Sequence, residues 1–388
     1  MAELHMVVLA GARERSNCPV TKVLDKNYNL DGIVWFKDEE KGTWYPADAW
    51  TTDDKKNEIA MIIPHMNPNQ ELKLFVDPDG PANKAEVKAK PPVDVSRTGE
   101  KEIEIKIGGE AFTTLHVNDG LRPFLYPFIG PFGEPMTRSF PMKKGVAGET
   151  QDHPHHTSVW TAYGDVNEVD HWSAGGMAGI QATKDIPVAR SGAAAGRIVL
   201  VNEWKNKFGD VDLKERREMR FFNLPRGLQT IDFSIRLTAV NDDVKFGDTK
   251  EGGLLSVRVA TSMDGDRGGH IENSLGAKGE RGCWGKQAPW VDYSGKVKGK
   301  QVGFAMLEHP RSFRHPTYWH VRGYGLFSAN PFGLKHFTKG KLNGDYTLNK
   351  GGSIEFVYRL IAHAGDLKSA RIPDKYSDFI SPPEIKAV

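Results

Sequence analysis

The stretch Thr230-Ile231-Asp232-Phe233-Ser234-Ile235-Arg236-Leu237-Thr238-Ala239-Val240 decides the fold class. Its large apolar side chains fall on every second residue, and polar side chains occupy most of the positions between them. Because successive side chains of a β-strand point to opposite faces, the pattern predicts a strand with one buried face.

The same alternation occurs in residues 102–108, where Ile103, Ile105 and Ile107 share one face. Other strand candidates are residues 6–10, 59–63, 72–76, 197–204, 218–222, 254–260, 302–307 and 354–361, and we expect Pro64 to end the second of these. No segment has the pattern of an amphipathic helix longer than two turns. We therefore predict an all-β protein whose main part is a large antiparallel β-sandwich with a loop-lined groove on a concave face.

The chain is expected to divide near residue 95 into a smaller β-rich N-terminal part, residues 1–95, and a main sandwich domain, residues 96–388. Residues 81–101 contain three prolines and many charged residues, which predicts a linker or an exposed crossing. The run Lys214-Glu215-Arg216-Arg217-Glu218 is interpreted as an exposed strand edge beside a charged loop.

Charge and cysteine content exclude several classes of protein. With 52 basic and 50 acidic residues the net charge is +2, which gives no electrostatic reason to bind nucleic acid or an anionic membrane. The two cysteines provide no disulfide framework, and no apolar run is long enough to insert into a membrane. The first residues lack the features of a signal peptide, so we expect a cytoplasmic protein, or an exported one if a leader has been removed. Oligomeric state stays open.

The richest chemistry lies in residues 149–172, which contain four histidines, two tryptophans and several carboxylates. Imidazoles titrate near neutrality and bind metals, whereas aromatic faces stack on sugars or bases. A core strand or helix needs neither, so this stretch is predicted to carry a functional site; the structural alternative is an ordered loop whose imidazoles bond only the backbone.

Several motifs in sequence order resemble those of a bacterial family labelled "methane oxygenase PmoA". They are His153-Pro154-His155-His156, Gly164-Asp165-Val166-Asn167, residues 246–254, Trp284-Gly285-Lys286, Trp290-Val291-Asp292-Tyr293, residues 315–322 and Ala329-Asn330-Pro331-Phe332-Gly333. A PmoA subunit of membrane methane monooxygenase must cross a bilayer repeatedly, and this chain has no segment of about 20 apolar residues that would do so. The chain also resembles, more loosely, galactose-mutarotase-like sandwiches. That resemblance implies a supersandwich in which a histidine acts as acid and a glutamate as base on a sugar.

Our first hypothesis is an acid/base enzyme acting on a small sugar or oligosaccharide, as an epimerase, a lyase or a glycoside-cleaving enzyme. Its catalytic candidates are His155, His156, His320 and Glu251, because an imidazole and a carboxylate supply an acid and a base near neutral pH. The residues predicted to bind substrate are Trp160, Asp165, Asn167, Trp172, Arg314, Tyr318, Trp319, Arg322 and Asn330. The structural alternatives are an ion pair of Glu251 with Lys250 or Lys286, and burial of Trp160 or Trp319 in the sandwich.

A second hypothesis is a divalent-metal site formed by His153, His155 and His320, with His171 as another ligand candidate. His153 and His155 are two residues apart, so in an extended segment they project to the same side. A third hypothesis is a carbohydrate-binding module without catalysis. Convergence of the histidines and Glu251 in one groove would favour the enzyme over the binding module.

Overall fold

The computed structural model describes residues 4–388, and β-strands dominate this part of the chain. Its strands are β1 (His5–Leu9), β2 (Arg15–Val23), β3 (Gly32–Asp38), β4 (Trp44–Thr51), β5 (Asn57–Met66), β6 (Glu71–Val76), β7 (Val93–Arg97), β8 (Glu102–Ile107), β9 (Glu110–His116), β10 (Phe124–Phe128), β11 (Val159–Tyr163), β12 (Ile180–Arg190), β13 (Ala195–Lys205), β14 (Val211–Phe222), β15 (Leu228–Ala239), β16 (Val244–Phe246), β17 (Gly252–Arg258), β18 (His270–Asn273), β19 (Trp290–Val297), β20 (Lys300–Glu308), β21 (Tyr318–Val321), β22 (Leu326–Asn330), β23 (Tyr346–Leu348), β24 (Ser353–Ala364) and β25 (Glu384–Ala387). The helices are α1 (Lys84–Ala89), α2 (Gly279–Cys283), α3 (Leu334–Phe337) and α4 (Ile372–Ile380), with short 3₁₀ turns at Thr261–Met263 and Gly265–Arg267.

Two eight-stranded antiparallel sheets form the main sandwich, which confirms the predicted all-β class. The front sheet has the order β21-β22-β17-β11-β10-β9-β8-β7, and the back sheet has the order β12-β13-β14-β15-β24-β20-β19-β18. Their facing sides share one apolar core, in which Phe112, Phe128 and Phe304 pack edge to face at centroid distances of 4.9 and 5.0 Å. This core fixes the front sheet, whose other face remains available for function.

A third sheet is built from the N-terminal residues, with the order β2-β5-β4-β3-β6-β1-β25. It has a separate apolar core, and the chain returns to it at its C-terminal end through β25. The division near residue 95 stays a prediction. The sheet is joined to the sandwich through Asp48, whose carboxylate accepts hydrogen bonds from the backbone N–H groups of Ala193, Ala194 and Ala195 at 2.7–2.9 Å.

The charged run 214–218 was wrongly interpreted as an exposed edge, because it lies inside β14 between β13 and β15. Glu215 and Arg217 point inward and pair at 2.6 Å, and Glu215 also accepts hydrogen bonds from Asn202 and Trp204. A buried charge persists in a sheet when such partners compensate it. The charged loop that precedes this run is short and comprises residues 206–210, because β13 ends at Lys205 and β14 begins at Val211.

Three smaller expectations also need correction. Residues 81–101 are not only a linker, because they contain α1 and the edge strand β7. Pro64 lies within β5 instead of ending it, at a position the register with β2 leaves unpaired. The nine-residue helix α4 exceeds two turns; it packs its apolar side chains against the outer face of the back sheet.

Within residues 4–388, no helix is long and apolar enough to cross a membrane.

Candidate functional site

A row of side chains crosses the outer face of the front sheet, on the side away from the main core. In the strand register, each residue of this row lies directly opposite the next one on the neighbouring strand. The order across the sheet is His116, Phe124, Trp160, Ser256, Ser328 and His320. Their strand neighbours Val159, Val257 and Phe327 belong to the main core. The alternation of each strand therefore sends one residue into the core and the next to this face.

The loop between β10 and β11 covers this row and carries His153, His155 and His156. Two buried arginines hold it: Arg138 donates hydrogen bonds to Asp152 and to the His153 carbonyl, and Arg258 donates to Asp152 at 2.8 Å. Arg138 and Arg258 are both fully buried, so each charge needs this compensation. The arginines fix the histidine loop against the sheet.

Four rings form a column that runs from the surface to the sheet. Tyr324 stacks on His153 at 4.8 Å between ring centroids, His153 stacks on His156 at 4.8 Å, and His156 lies over Trp160 at 5.2 Å. Exposure decreases along the column: His153 and Tyr324 are partly exposed, whereas His156 and Trp160 are each 1% exposed. The outer rings can contact a ligand, and the inner rings support them.

His156 has a defined tautomer. Nη1 of Arg258 lies 3.0 Å from Nδ1 of His156, and a guanidinium has only donors, so Nδ1 accepts and Nε2 carries the proton. Burial, together with the charges of His155 and Arg258, lowers the pKa of His156 well below its usual value. The ring is therefore neutral at pH 7.

Glu251 stands on the glycine-rich turn that precedes β17. Asn330 holds this turn, because its Nδ2 donates to the carbonyls of Thr249 and Lys250 at 3.0 and 3.1 Å. Burial raises the pKa of Glu251, but its hydrogen bond and ion pair with Lys250 outweigh burial, and His320 and His155 act in the same direction. The pKa is lowered overall, so the carboxylate is ionised near neutrality. The contact with Lys250 is the ion pair considered as the structural alternative.

His155 and His320 both lie close enough to Glu251 to interact with it electrostatically. Burial lowers the pKa of each imidazole to about 4, while the negative charge of Glu251 opposes this shift in both. His320 is 1% exposed, and its ring nitrogens make no well-formed hydrogen bond within residues 4–388, although the Lys250 backbone interacts with the ring and raises its pKa. The structure thus brings His155, His156, His320 and Glu251 to one region of the front sheet.

Other predicted site residues make structural contacts. Trp319 is fully buried and donates to the Ala288 carbonyl at 2.8 Å, Trp172 is 1% exposed beneath the histidine loop, and Tyr318 stacks on Phe337. Arg322 pairs with Glu280 at 2.8 Å and lies over the Tyr324 ring, near the column. With Trp160 also enclosed, the exposed aromatic face of the site is that of Tyr324 and His153.

Three further candidates lie around neighbouring loops. Asn167 bonds Asp212 at 2.7 Å and accepts from the backbone N–H of Lys245, and the Asp165 carboxylate accepts from that of Glu168. Arg314 donates to backbone carbonyls, including that of Gly344 at 2.6 Å. The assignment of these residues to substrate binding stays a prediction.

The proposed metal ligands do not form a metal-binding arrangement in this structure. His153 and His155 have ring centroids 5.7 Å apart, but within residues 4–388 no group of three or more His, Cys, Asp or Glu side chains is placed to hold a metal ion. Sequence reasoning missed Tyr324, Arg258 and Arg138. A signal existed for Arg258, since it follows Ser256 at the two-residue spacing that puts both on the same strand face.

A cavity of about 270 Å³ opens beside His155. Its walls are mainly apolar and include Phe124, Pro141 and Met142, and the Arg122 guanidinium lies at its edge. Arg122 is committed to the loop, because it donates to the carbonyls of His155 and Trp172 at 3.2 and 2.8 Å. The site therefore combines a polar region around Glu251 with an apolar recess.

These features define an antiparallel β-sandwich protein with a carboxylate and neutral imidazoles gathered on one sheet face. The model of a family of unknown function, DUF6807, matches residues 102–377, and the chain belongs to this family. A search of curated proteins finds no match. Among solved structures, the alpha-galactosidase from Lactobacillus brevis is similar at 10% identity and a TM-score of 0.34; the match covers 70% of this chain and 40% of the galactosidase chain.

Proposed function

We propose that this protein is an acid/base enzyme that moves a proton on a small sugar or oligosaccharide bound over Glu251, His155 and His320. One observation carries the proposal: an ionised carboxylate interacts electrostatically with two imidazoles that burial keeps neutral, with pKa values of about 4. A carboxylate in this state can accept a proton, and a neutral imidazole can donate a hydrogen bond to the oxygen on which charge develops.

The assignment of roles follows from the protonation states. Glu251 is the base, and the N–H group of His155 or His320 stabilises the substrate oxygen. Tyr324, whose pKa is raised by burial, keeps its proton near neutrality and presents a ring face with a polar hydroxyl, as sugar sites require. His156 is a positioning residue, because its ring stacks on His153 and supports it in the ring column. The resemblance to the family labelled methane oxygenase PmoA adds no oxygenase step to this proposal.

The test is proton exchange on reducing sugars. Wild-type protein in ²H₂O should accelerate anomeric interconversion or exchange of a carbon-bound proton for deuterium, followed by NMR across a panel of hexoses and uronic acids. Glu251→Gln and His320→Gln should each reduce the rate at least ~100-fold, within the range that a positioned acid or base contributes. Glu110→Gln is the matched control, because Glu110 pairs with Arg226 on an exposed surface.

The pH profile separates this mechanism from simple binding. The rate should stay level near neutrality and fall as the pH drops through about 4, because protonated imidazoles beside Glu251 make its carboxylate a weaker base. If sugars bind to the wild-type protein and no exchange or conversion occurs on any of them, the protein is a carbohydrate-binding module and the enzymatic proposal fails.

A further inference from the structure

A second and larger cavity lies on the opposite side of the sandwich. It has a volume of about 830 Å³ and separates the outer face of the back sheet from β2, the β4–β5 turn and α4. Pockets for small ligands commonly measure about 300–1,000 Å³ and often occur between structural units. Both sheets of the sandwich stand between this cavity and Glu251, so the two sites are separate.

The floor of the cavity is a network of arginines around shared carboxylates. Glu218 accepts hydrogen bonds from Arg197 at 3.0 and 3.1 Å, from Arg220 at 2.7 Å and from Arg216 at 3.1 Å. Glu58 of β5 accepts two further bonds from Arg220 at 2.8 and 2.9 Å. Within this network three guanidinium groups therefore share two carboxylates, which leaves one positive charge without a counter-charge of its own.

Arg216 and Arg236 are only partly compensated on this surface. They stand directly opposite each other in the antiparallel register of β14 and β15, an arrangement in which like charges destabilise a sheet. Arg216 shares the Glu218 carboxylate with Arg197 and Arg220. Arg236 lies 4.0 Å from Glu355, which already accepts a hydrogen bond from Ser234. Their side chains are 45% and 58% exposed and line the cavity.

Acidic residues also line the cavity, where seven carboxylates accompany six arginines, and most of these carboxylates are committed to other partners. Asp232 holds Arg359 with two bonds of 2.6 and 2.8 Å, and Asp378 pairs with Arg15 at 2.8 Å. Asp54 accepts a hydrogen bond from Thr52 at 2.6 Å. The opposed arginines thus impose a cost on the unliganded sheet that an anion bound between them would remove.

We propose that this cavity binds a small ligand carrying two carboxylate or phosphate groups, held between Arg216 and Arg236. A guanidinium offers two parallel donors that match a carboxylate or a phosphate, which makes paired arginines selective for such groups. The carboxylates of an acidic oligosaccharide and the phosphates of a phosphorylated sugar share this chemistry. The proposal does not depend on the proton-transfer activity proposed for the front sheet.

The experiment is isothermal titration calorimetry in 150 mM NaCl with three probes. Digalacturonate represents the carboxylated source, fructose 1,6-bisphosphate the phosphorylated source, and neutral galactobiose controls for sugar binding without charge. One of the two anionic probes should bind saturably, and its identity assigns the source. The double variant Arg216→Gln/Arg236→Gln should weaken that binding at least ~10-fold.

Stability provides the second readout. Because the double variant removes an unfavourable like-charge pair, its melting temperature without ligand should equal or exceed that of the wild type. Arg190→Gln is the matched control, since Arg190 pairs with exposed Asp31 and lies outside the cavity, and it should leave probe binding unchanged. Failure of both anionic probes to bind, or unchanged binding in a folded double variant, would overturn the proposal.

Discussion

Gly164 lies directly against Glu251. The backbone N–H of Gly164 donates to the Glu251 carbonyl at 2.8 Å, and a Cβ atom on Gly164 would lie only 2.4 Å from that oxygen. This contact joins the end of β11 to the turn that presents the proposed base. A residue without a side chain is therefore required where the two backbones meet.

Gly164→Ala should displace the turn and with it Glu251. The added methyl group meets backbone rather than a flexible side chain, so we expect a loss of about 1–3 kcal/mol in unfolding free energy and a large fall in the proton-exchange rate. Gly175→Ala is the control, because a Cβ there meets nothing within 4 Å. Urea unfolding measures the loss of stability, and NMR measures the proton-exchange rate. An unchanged exchange rate in Gly164→Ala would contradict the assignment of Glu251 as the catalytic base.

The Arg258 contact predicts the tautomer of His156. Long-range ¹H–¹⁵N spectra should show Nε2 protonated and Nδ1 unprotonated in the wild type, because Arg258 donates to Nδ1 at 3.0 Å. Arg258→Met should lose this fixed tautomer and reduce stability by about 1–3 kcal/mol. Arg138→Met is the matched variant, since Arg138 hydrogen-bonds Asp152 and the loop backbone rather than the His156 ring, and it should preserve the tautomer. A wild-type ring protonated at Nδ1 would contradict the assignment.

Strand alternation made the architecture predictable, and its exceptions explain what was missed. Residues 230–240 and 102–108 alternate cleanly because one face of β15 and of β8 packs into the main core. The first half of β14 was wrongly placed at an exposed edge because Glu215 and Arg217 occupy inward positions as a buried pair. Besides pairing with each other, these two residues are hydrogen-bonded by Asn202, Trp204 and Gln181 of neighbouring strands, contacts that a local sequence pattern does not reveal.

The candidate site was predictable in composition and not in geometry. Residues 149–158 of the histidine-rich stretch form a loop on one sheet face, residues 159–163 form the buried strand β11, and Glu251 and His320 lie near the loop. The sequence could not show that Trp160 and Trp172 would be enclosed by that loop, nor that Tyr324 would provide the exposed ring instead. Such placements depend on the register of β11, β17, β22 and β21, which local patterns do not specify.

Asp48→Ala should weaken the attachment of the N-terminal sheet. It would leave the three N–H groups of Ala193, Ala194 and Ala195 without their carboxylate in a buried position, and we expect a loss of about 3 kcal/mol in unfolding free energy. Asp31→Ala removes an exposed ion pair with Arg190 and should cost less than about 1 kcal/mol. Equal urea midpoints for the two variants would show that the Asp48 contacts contribute little.

His171 should make stability depend on pH. It is fully buried, its ring nitrogens have no hydrogen-bond partner within residues 4–388, and burial, aided by Arg122, lowers its pKa to about 3. An unfolded histidine has a pKa near 6.5, so between about pH 6.5 and pH 3 the unfolded state binds the additional proton. Stability from this residue is therefore complete above pH 6.5 and declines as the pH falls.

His171→Phe removes this titration while keeping a ring beside Trp204, on which His171 packs at 5.0 Å. The difference in unfolding free energy between variant and wild type should shift by about 2 kcal/mol in favour of the variant between pH 7.5 and pH 5. Other groups, such as Asp48, whose burial raises its pKa to about 6, change stability in the opposite direction, but they act equally in both proteins and cancel in the difference. Urea unfolding of both proteins at the two pH values measures the shift. Parallel stability curves would mean that His171 is protonated in the folded state or reaches water before unfolding.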